Sequence, residues 1–245
     1  MPADRHDRAA DRAELWVARL GTVDYDAALA LQQRLHAARA AGTIADVLLL
    51  LEHPPVYTRG RRAEPAELPL GENWYLERGI ALRDVDRGGK TTYHGPGQLV
   101  GYPIVDTAIV NRDIVRFVRA LEDSIIAALA GERVVARRDP AGRGVWAGDG
   151  KIGSIGLHVA HGVTTHGFAV NVDCDLDPFG WIKPCGLDDP ATSIAERSGR
   201  TGRVRCFSRR VAFELARNLE LRQRLISRAR LLERLAAVED LVFAT

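Results

Sequence analysis

Cys185 stands between a proline and a glycine in Trp181-Ile182-Lys183-Pro184-Cys185-Gly186-Leu187. A core cysteine usually replaces a small hydrophobe inside a helix or strand, whereas this pairing places a thiol in a tight turn. A thiol is a weak nucleophile until it loses its proton, so it needs a base or a cation close by. Lys151 is the candidate, at the start of Lys151-Ile152-Gly153-Ser154-Ile155-Gly156-Leu157. Among 34 basic residues only Lys90, Lys151 and Lys183 are lysines. Arginine cannot release its proton usefully and a desolvated lysine can, so a position that needs a proton-exchanging amine has to escape that bias. On strand placement alone, a solvated lysine after the Gly148-Asp149-Gly150 turn is the more ordinary reading. Strict alternation puts Lys151, Gly153 and Ile155 on one face and Ile152, Ser154 and Gly156 on the other. Together with the glycine-rich segment Arg87 to Gln98, set between apolar strands, cysteine and lysine suggest a Cys/Lys acyl-transfer site.

The residues that would meet a substrate lie in Arg87-Gly88-Gly89-Lys90-Thr91-Thr92-Tyr93-His94-Gly95-Pro96-Gly97-Gln98. Its four glycines and one proline imply a backbone that is neither ordinary strand nor ordinary helix. Apolar runs on either side make it a loop between core strands, where a ligand approaches the main chain. It lacks the Gly-Lys-Ser/Thr ending of a phosphate-binding loop. His94 and His166 are each followed by glycine, but no HxH, HExxH or Cys/His spacing supports a metal, so a structural or substrate-positioning role is expected for both. Cys174 and Cys206 have unremarkable surroundings and are read as inert.

The elements that position these groups follow from periodicity. Asp24 to Ala41 reads as a helix stopped by Gly42, and Asn111 as the cap of a second helix with Ile114, Val118, Leu121, Ile125 and Leu129 on one face and Gly131 at its end. Val47 to Leu51, Ala81 to Val85 and Leu99 to Val105 read as strands, Arg133 to Arg137 and Gly144 to Ala147 as short ones. Lys151 to Ala160 and Val163 to Val172 form a hairpin across His161-Gly162. From Phe207 onward the pattern is helical. The expected fold is a single mixed α/β domain over residues 15–207, with a disordered leader (1–14) and a helical C-terminal extension (208–245).

At 245 residues, 46% apolar and 27% charged, with a net charge of +2, the composition is that of a soluble globular protein without a strong global field. No apolar run reaches the roughly 18 residues of a membrane span. Three cysteines without a CxxC spacing fit a reduced, cytoplasmic setting. No nucleic acid, membrane, metal or cofactor is expected.

The glycine-rich segment resembles the signature of the lipoyl(octanoyl) transferases. So do Leu51-Glu52-His53-Pro54-Pro55-Val56-Tyr57-Thr58, Lys151-Ile152-Gly153-Ser154-Ile155-Gly156, His166-Gly167-Phe168-Ala169-Val170-Asn171 and Pro184-Cys185-Gly186, all in the family's order. The resemblance implies a fold shared with the catalytic domains of biotin protein ligases and lipoate–protein ligases. It implies transfer of an octanoyl group from octanoyl-acyl carrier protein to a lysine of a lipoyl domain, in 2-oxoacid dehydrogenases and the glycine cleavage H protein. Cys185 falls on the thioester nucleophile and Lys151 on the lysine that lowers its pKa. Arg87, Gly88, Gly89, Lys90, Thr91, Thr92, Tyr93, His94, Ser154, Ile155, Gly156, Gly167, Phe168 and Ala169 fall on the substrate-contacting stretches. Backbone N–H groups beside the glycines are expected to form an oxyanion hole. Arg59, Arg61 and Arg62 suit acidic protein partners, although solvated surface is their default reading. The rivals are a lipoyl-domain amidotransferase, an ATP-dependent ligase, which needs no such cysteine, and an inactive acyl-protein binding module.

Overall fold

A strand covered by helices on both faces has no polar side, and the uninterrupted run Val47 to Leu51 is of that kind. The computed structural model describes residues 13–139, 142–183 and 190–243. In chain order the strands are β1 (Glu14–Thr22), β2 (Asp46–Glu52), β3 (Val56–Arg59), β4 (Ala81–Asp84), β5 (Thr91–His94), β6 (Gln98–Ile104), β7 (Val145–Ala147), β8 (Gly150–Ala160), β9 (Val163–Asn171) and β10 (Arg222–Leu225). The α-helices are α1 (Tyr25–Ala40), α2 (Glu72–Leu76), α3 (Ile114–Ala130), α4 (Asp177–Gly180), α5 (Ile194–Ser198), α6 (Val204–Asn218) and α7 (Arg228–Phe243). One sheet runs β10-β1-β2-β6-β9-β8-β7, and a small second sheet runs β4-β3-β5. In the large sheet β10, β1 and β2 are parallel and the remaining pairs antiparallel.

Leu48 and Leu50 of β2 pack with Phe117, Leu121 and Ile125 of α3 and Phe207, Val211 and Leu215 of α6. Val47, Leu49 and Leu51, on the other face, pack with Ala28 and Leu35 of α1 and Leu231 and Leu235 of α7. Helices thus sandwich a mixed sheet, the architecture expected from the sequence.

Local chemistry explains the boundaries. Asp24 caps α1, its carboxylate accepting from the Asp26 and Ala27 amides. Gly42, with φ of +72°, ends the helix while Thr43 N donates to Ala38 O and Gly42 N to Arg39 O, both at 3.0 Å. The β8–β9 hairpin turns at His161 (φ 50°) and Gly162 (φ 78°), with Ala160 paired to Val163.

Several expectations need correction. Asn111 does not cap α3; it ends the preceding 3-10 turn with φ of 56°, and Asp113 is the cap, accepting from Arg116 N. Arg133 to Arg137 is no strand and contributes only an isolated bridge from Arg137 to Trp146. Within the glycine-rich segment Thr91–His94 is a regular strand, β5, because β3 pairs with it. The chain beyond Phe207 is not wholly helical: β10 joins the edge of the large sheet beside β1. The boundary expected between 207 and 208 falls inside α6, and Glu14, assigned to the leader, begins β1. Residues 1–12 of that leader lie outside the described residues. Among the described residues no helix is long and apolar enough to cross a membrane.

Candidate active site

A cavity of about 1550 Å³ opens on the α1 face of the large sheet, beneath the glycine-rich segment. Its floor comes from three adjacent strands. Ser154 and Gly156 of β8 pair with Ala169 and Gly167 of β9, and Ala169 pairs with Val100 of β6; all five line the cavity. The glycine-rich segment crosses close above, where Gly88 N donates to Leu157 O at 3.0 Å. A Cβ at Gly156 would stand 2.9 Å from Gly88 O and 3.2 Å from Arg87 Cδ, so only glycine allows this approach. The Gly88 amide is therefore occupied, which removes it from the expected oxyanion hole.

Lys151 reaches the cavity by way of a β-bulge. Val145 pairs with Gly153 and Trp146 with Lys151, so one step on β7 spans two on β8. Ile152 is buried in the α3/α6 core, and a Cβ on Gly153 would meet Val145 and Val170 of that same core. Two successive residues thus share a face, and Lys151 turns to the cavity side with Ser154 and Gly156. This overturns the face assignment from strict alternation. Lys151 Nζ lies 4.9 Å from the centroid of the Trp146 ring, a cation–π distance. The Lys151 amide donates to Pro190 O at 2.8 Å and its carbonyl accepts from Thr192 N at 3.0 Å.

Of the substrate-contacting residues expected from the resemblance, Arg87, Gly88, Gly89, Lys90, Thr91, Thr92, His94, Ser154, Ile155, Gly156, Gly167, Phe168 and Ala169 line the cavity. Tyr93 does not. Its ring turns into the aromatic cluster under the small sheet with Tyr57 and Phe179. Cys185 lies outside the described residues, but Lys183 and Pro190 on either side of it both line the cavity.

Arg87 braces the roof, with Nη2 donating to Thr58 O at 2.6 Å and to Thr58 Oγ1 at 2.8 Å. The charged side chains that line the cavity among the described residues are Arg62, Arg87, Lys90, Arg143, Lys151 and Lys183, all cationic. Lys90 is held by Glu64 and Glu67, each 3.4 Å away. Arg59, read as suited to an acidic partner or by default as solvated surface, is tied to Asp84 and Glu72.

Sequence reasoning passed over Tyr25 and Tyr102, both lining the cavity. Burial pushes Tyr25 up to about 12 and Tyr102 well above the ordinary range, so both stay protonated. His53 Nδ1 lies 2.7 Å from Val23 O and Nε2 2.7 Å from Tyr102 Oη. A carbonyl only accepts, so Nδ1 carries the proton and Tyr102 donates to Nε2. Tyr25 sits one residue past a helix cap, and nothing in its sequence neighbourhood marks it.

His166 also lines the cavity and departs from its strand, with φ of 56°. Its amide donates to Gln32 Oε1 of α1 at 2.8 Å, and its Nε2 lies 2.6 Å from Asp86 Oδ1. Such a left-handed residue inside a strand costs on the order of 1–3 kcal/mol and persists only when its surroundings hold it.

Burial depresses three histidines: His53, His166 despite Asp86, and His94, which falls to about 3. Each therefore takes up a proton at lower pH when folded than when unfolded, where it binds one below about pH 6.5. The unfolded state then binds more protons, so stability falls as pH drops, by about 1.4 kcal/mol per pH unit for each histidine still neutral in the fold. Denaturant midpoints at pH 7.5 and 5.5 should show the loss, and His94→Gln should make the fall shallower. A midpoint unchanged between those pH values would contradict the neutral cluster.

The model of the lipoyl protein ligase A/B catalytic domain family matches residues 24–216. An octanoyltransferase of Solibacter usitatus is 51% identical over 176 residues, covering 72% of this chain and 80% of that protein. An octanoyltransferase of Mycobacterium sp. (strain KMS) is 50% identical over 191 residues, covering 75% of this chain and 76% of that protein. Among solved structures, a bipartite lipoate protein ligase from Thermoplasma acidophilum, described with its E2 lipoyl domain, superposes with a TM-score of 0.67 at 16% identity, covering 93% of this chain and 92% of that one. That last likeness speaks to the fold alone.

Proposed function

The chain belongs to the lipoyl protein ligase A/B catalytic domain family and is an acyltransferase like its octanoyltransferase relatives; we propose that it moves an octanoyl group from octanoyl-acyl carrier protein to a lysine of a lipoyl domain through a thioester on Cys185. One observation carries this reading. A single cavity gathers Lys151, the glycine-rich segment, the β8 and β9 motifs and both flanks of the segment that contains Cys185. One residue, Pro184, separates Lys183 from Cys185, a reach of about 7 Å at most between their Cα atoms. Pro190, at the other flank, is hydrogen-bonded to Lys151 itself.

The chemistry runs in two halves. Lys151 takes the Cys185 proton, and the thiolate attacks the donor thioester carbonyl. The tetrahedral intermediate collapses, the C–S bond to pantetheine breaks, and Lys151 returns the proton to the leaving thiolate. In the second half the acceptor lysine amine attacks the acyl-enzyme and gives a proton to Lys151. Breakage of the C–S bond then restores the Cys185 thiolate beside the Lys151 ammonium. Donor and enzyme thioesters are similar in energy, so no nucleotide is needed to drive the first half. The small and apolar residues Val100, Gly167 and Ala169 on the cavity floor suit a linear acyl chain. The cations Arg62, Arg143 and Lys183 at its wall suit an acidic, phosphate-bearing donor. A carrier-protein donor places the reaction in the cytoplasm, and the lipoyl domains of 2-oxoacid dehydrogenases and the glycine cleavage H protein are the acceptors.

Mixing the protein with octanoyl-acyl carrier protein should give an octanoyl mass gain that maps to Cys185. Transfer to an apo lipoyl domain should proceed in EDTA without ATP and give parallel ping-pong lines. Free octanoate with ATP and Mg²⁺ should give no product. Robust ATP-dependent use of the free acid would assign the chain to the ligase branch instead.

A further inference from the structure

His94 is fixed in one tautomer by a relay that begins at two backbone carbonyls. Asn171 Nδ2 donates to Thr192 O at 3.0 Å, which sets that amide with Oδ1 toward Gln98. Gln98 Nε2 donates to Asn171 Oδ1 at 2.9 Å and to Tyr93 O at 3.2 Å. Because a carbonyl can only accept, the Gln98 oxygen must be the atom facing His94, 2.7 Å from Nδ1. The His94 proton therefore sits on Nδ1, and Nε2 keeps its lone pair. No described group bonds Nε2, the atom is not sealed from solvent, and His94 lines the cavity. The ring is stacked on Tyr25 and meets His53 edge-on, so it cannot turn freely.

We propose that this Nε2 accepts a hydrogen bond from the acceptor lysine nitrogen as that amine attacks the octanoyl thioester, with Gln98 and Asn171 as the residues that position it. The inference rests on the two-half reaction above. An attacking amine directs its lone pair at the carbonyl carbon and gives one proton to Lys151. Its other N–H needs an acceptor, and the charged side chains that line the cavity among the described residues are all cations, with Glu64 and Glu67 paired to Lys90 and Asp86 to His166. That field disfavours an ammonium and delivers the lysine as a neutral amine. A protonated His94 would add to the repulsion. Burial holds it neutral, with its pKa near 3, too weak a base to compete with Lys151 for the proton. The same relay reaches Lys151, since Thr192 N donates to Lys151 O. Acceptor and proton-exchanging amine are thus referenced to one backbone.

Single-turnover experiments separate the halves. With His94→Ala, octanoyl-enzyme should form at close to the wild-type rate, while transfer to an apo lipoyl domain should slow by about 10²-fold, as for a mispositioned reactant. His94→Gln, whose amide reaches the Nε2 position, should recover part of that loss; His94→Asn, which reaches only Nδ1, should not. Gln98→Glu favours the imidazolium and should slow transfer selectively, with the His94 ¹⁵N shifts moving from the Nδ1–H tautomer to the doubly protonated form. Equal loss in both halves for every variant, or no loss in transfer, would overturn the proposal. A wild-type protein that forms no octanoyl thioester would remove the two-half reaction and this inference with it.

Discussion

C185S is expected to lose octanoyl transfer altogether and to form no thioester, while C174S and C206S remain active. The serine oxygen keeps the size of the side chain but is far less acidic than the thiol, so Lys151 cannot generate the nucleophile from it. Cys174 offers a contrast within the chain: it is 8% exposed, and burial pushes its thiol up to about 12, an inert core position. Cys206 is exposed, on α6. Intact-mass measurement after mixing with octanoyl-acyl carrier protein reads all three variants. Full turnover in C185S would sink the covalent mechanism.

K151R should lose about 10²–10⁴-fold in rate, the usual range for a general acid/base. The substitution keeps a cation over the Trp146 ring and removes only the capacity to exchange a proton near neutral pH. The expected signature is slow acylation and slow transfer together, unlike the selective transfer defect predicted for His94 variants. Turnover near wild type in K151R would reduce Lys151 to an electrostatic neighbour.

What the sequence disclosed and withheld follows from physical causes. The run Val47 to Leu51 was legible because helices cover both sheet faces, and α1 because Asp24 and Gly42 carry its start and stop. β10 was not legible. Arg-Gln-Arg-Leu at a sheet edge is mostly exposed and has no apolar period to betray it. Asn111 and Asp113 are both plausible caps two residues apart, and only the left-handed backbone at Asn111 decides between them. The face of Lys151 was beyond reach because the bulge depends on pairing with β7, whose register local sequence does not specify. The site motifs were fully visible, yet Tyr25, Tyr102 and the Gln98–Asn171 relay enter only through long-range contacts.

The pairing of β10 with β1 joins Glu14 to Arg222, two positions about 200 residues apart along the chain. During synthesis β1 precedes β10 by that whole interval, and its edge toward β10 stays open until β10 follows. Closure over so long a loop is slow compared with forming the β8–β9 hairpin, whose two-residue turn closes locally. A strand made late therefore closes the edge of one made early. Pulse-labelled hydrogen exchange during refolding should find the β1 amides that face β10 among the last to gain protection; early protection there would mean that β1 and β10 meet before the centre of the sheet assembles.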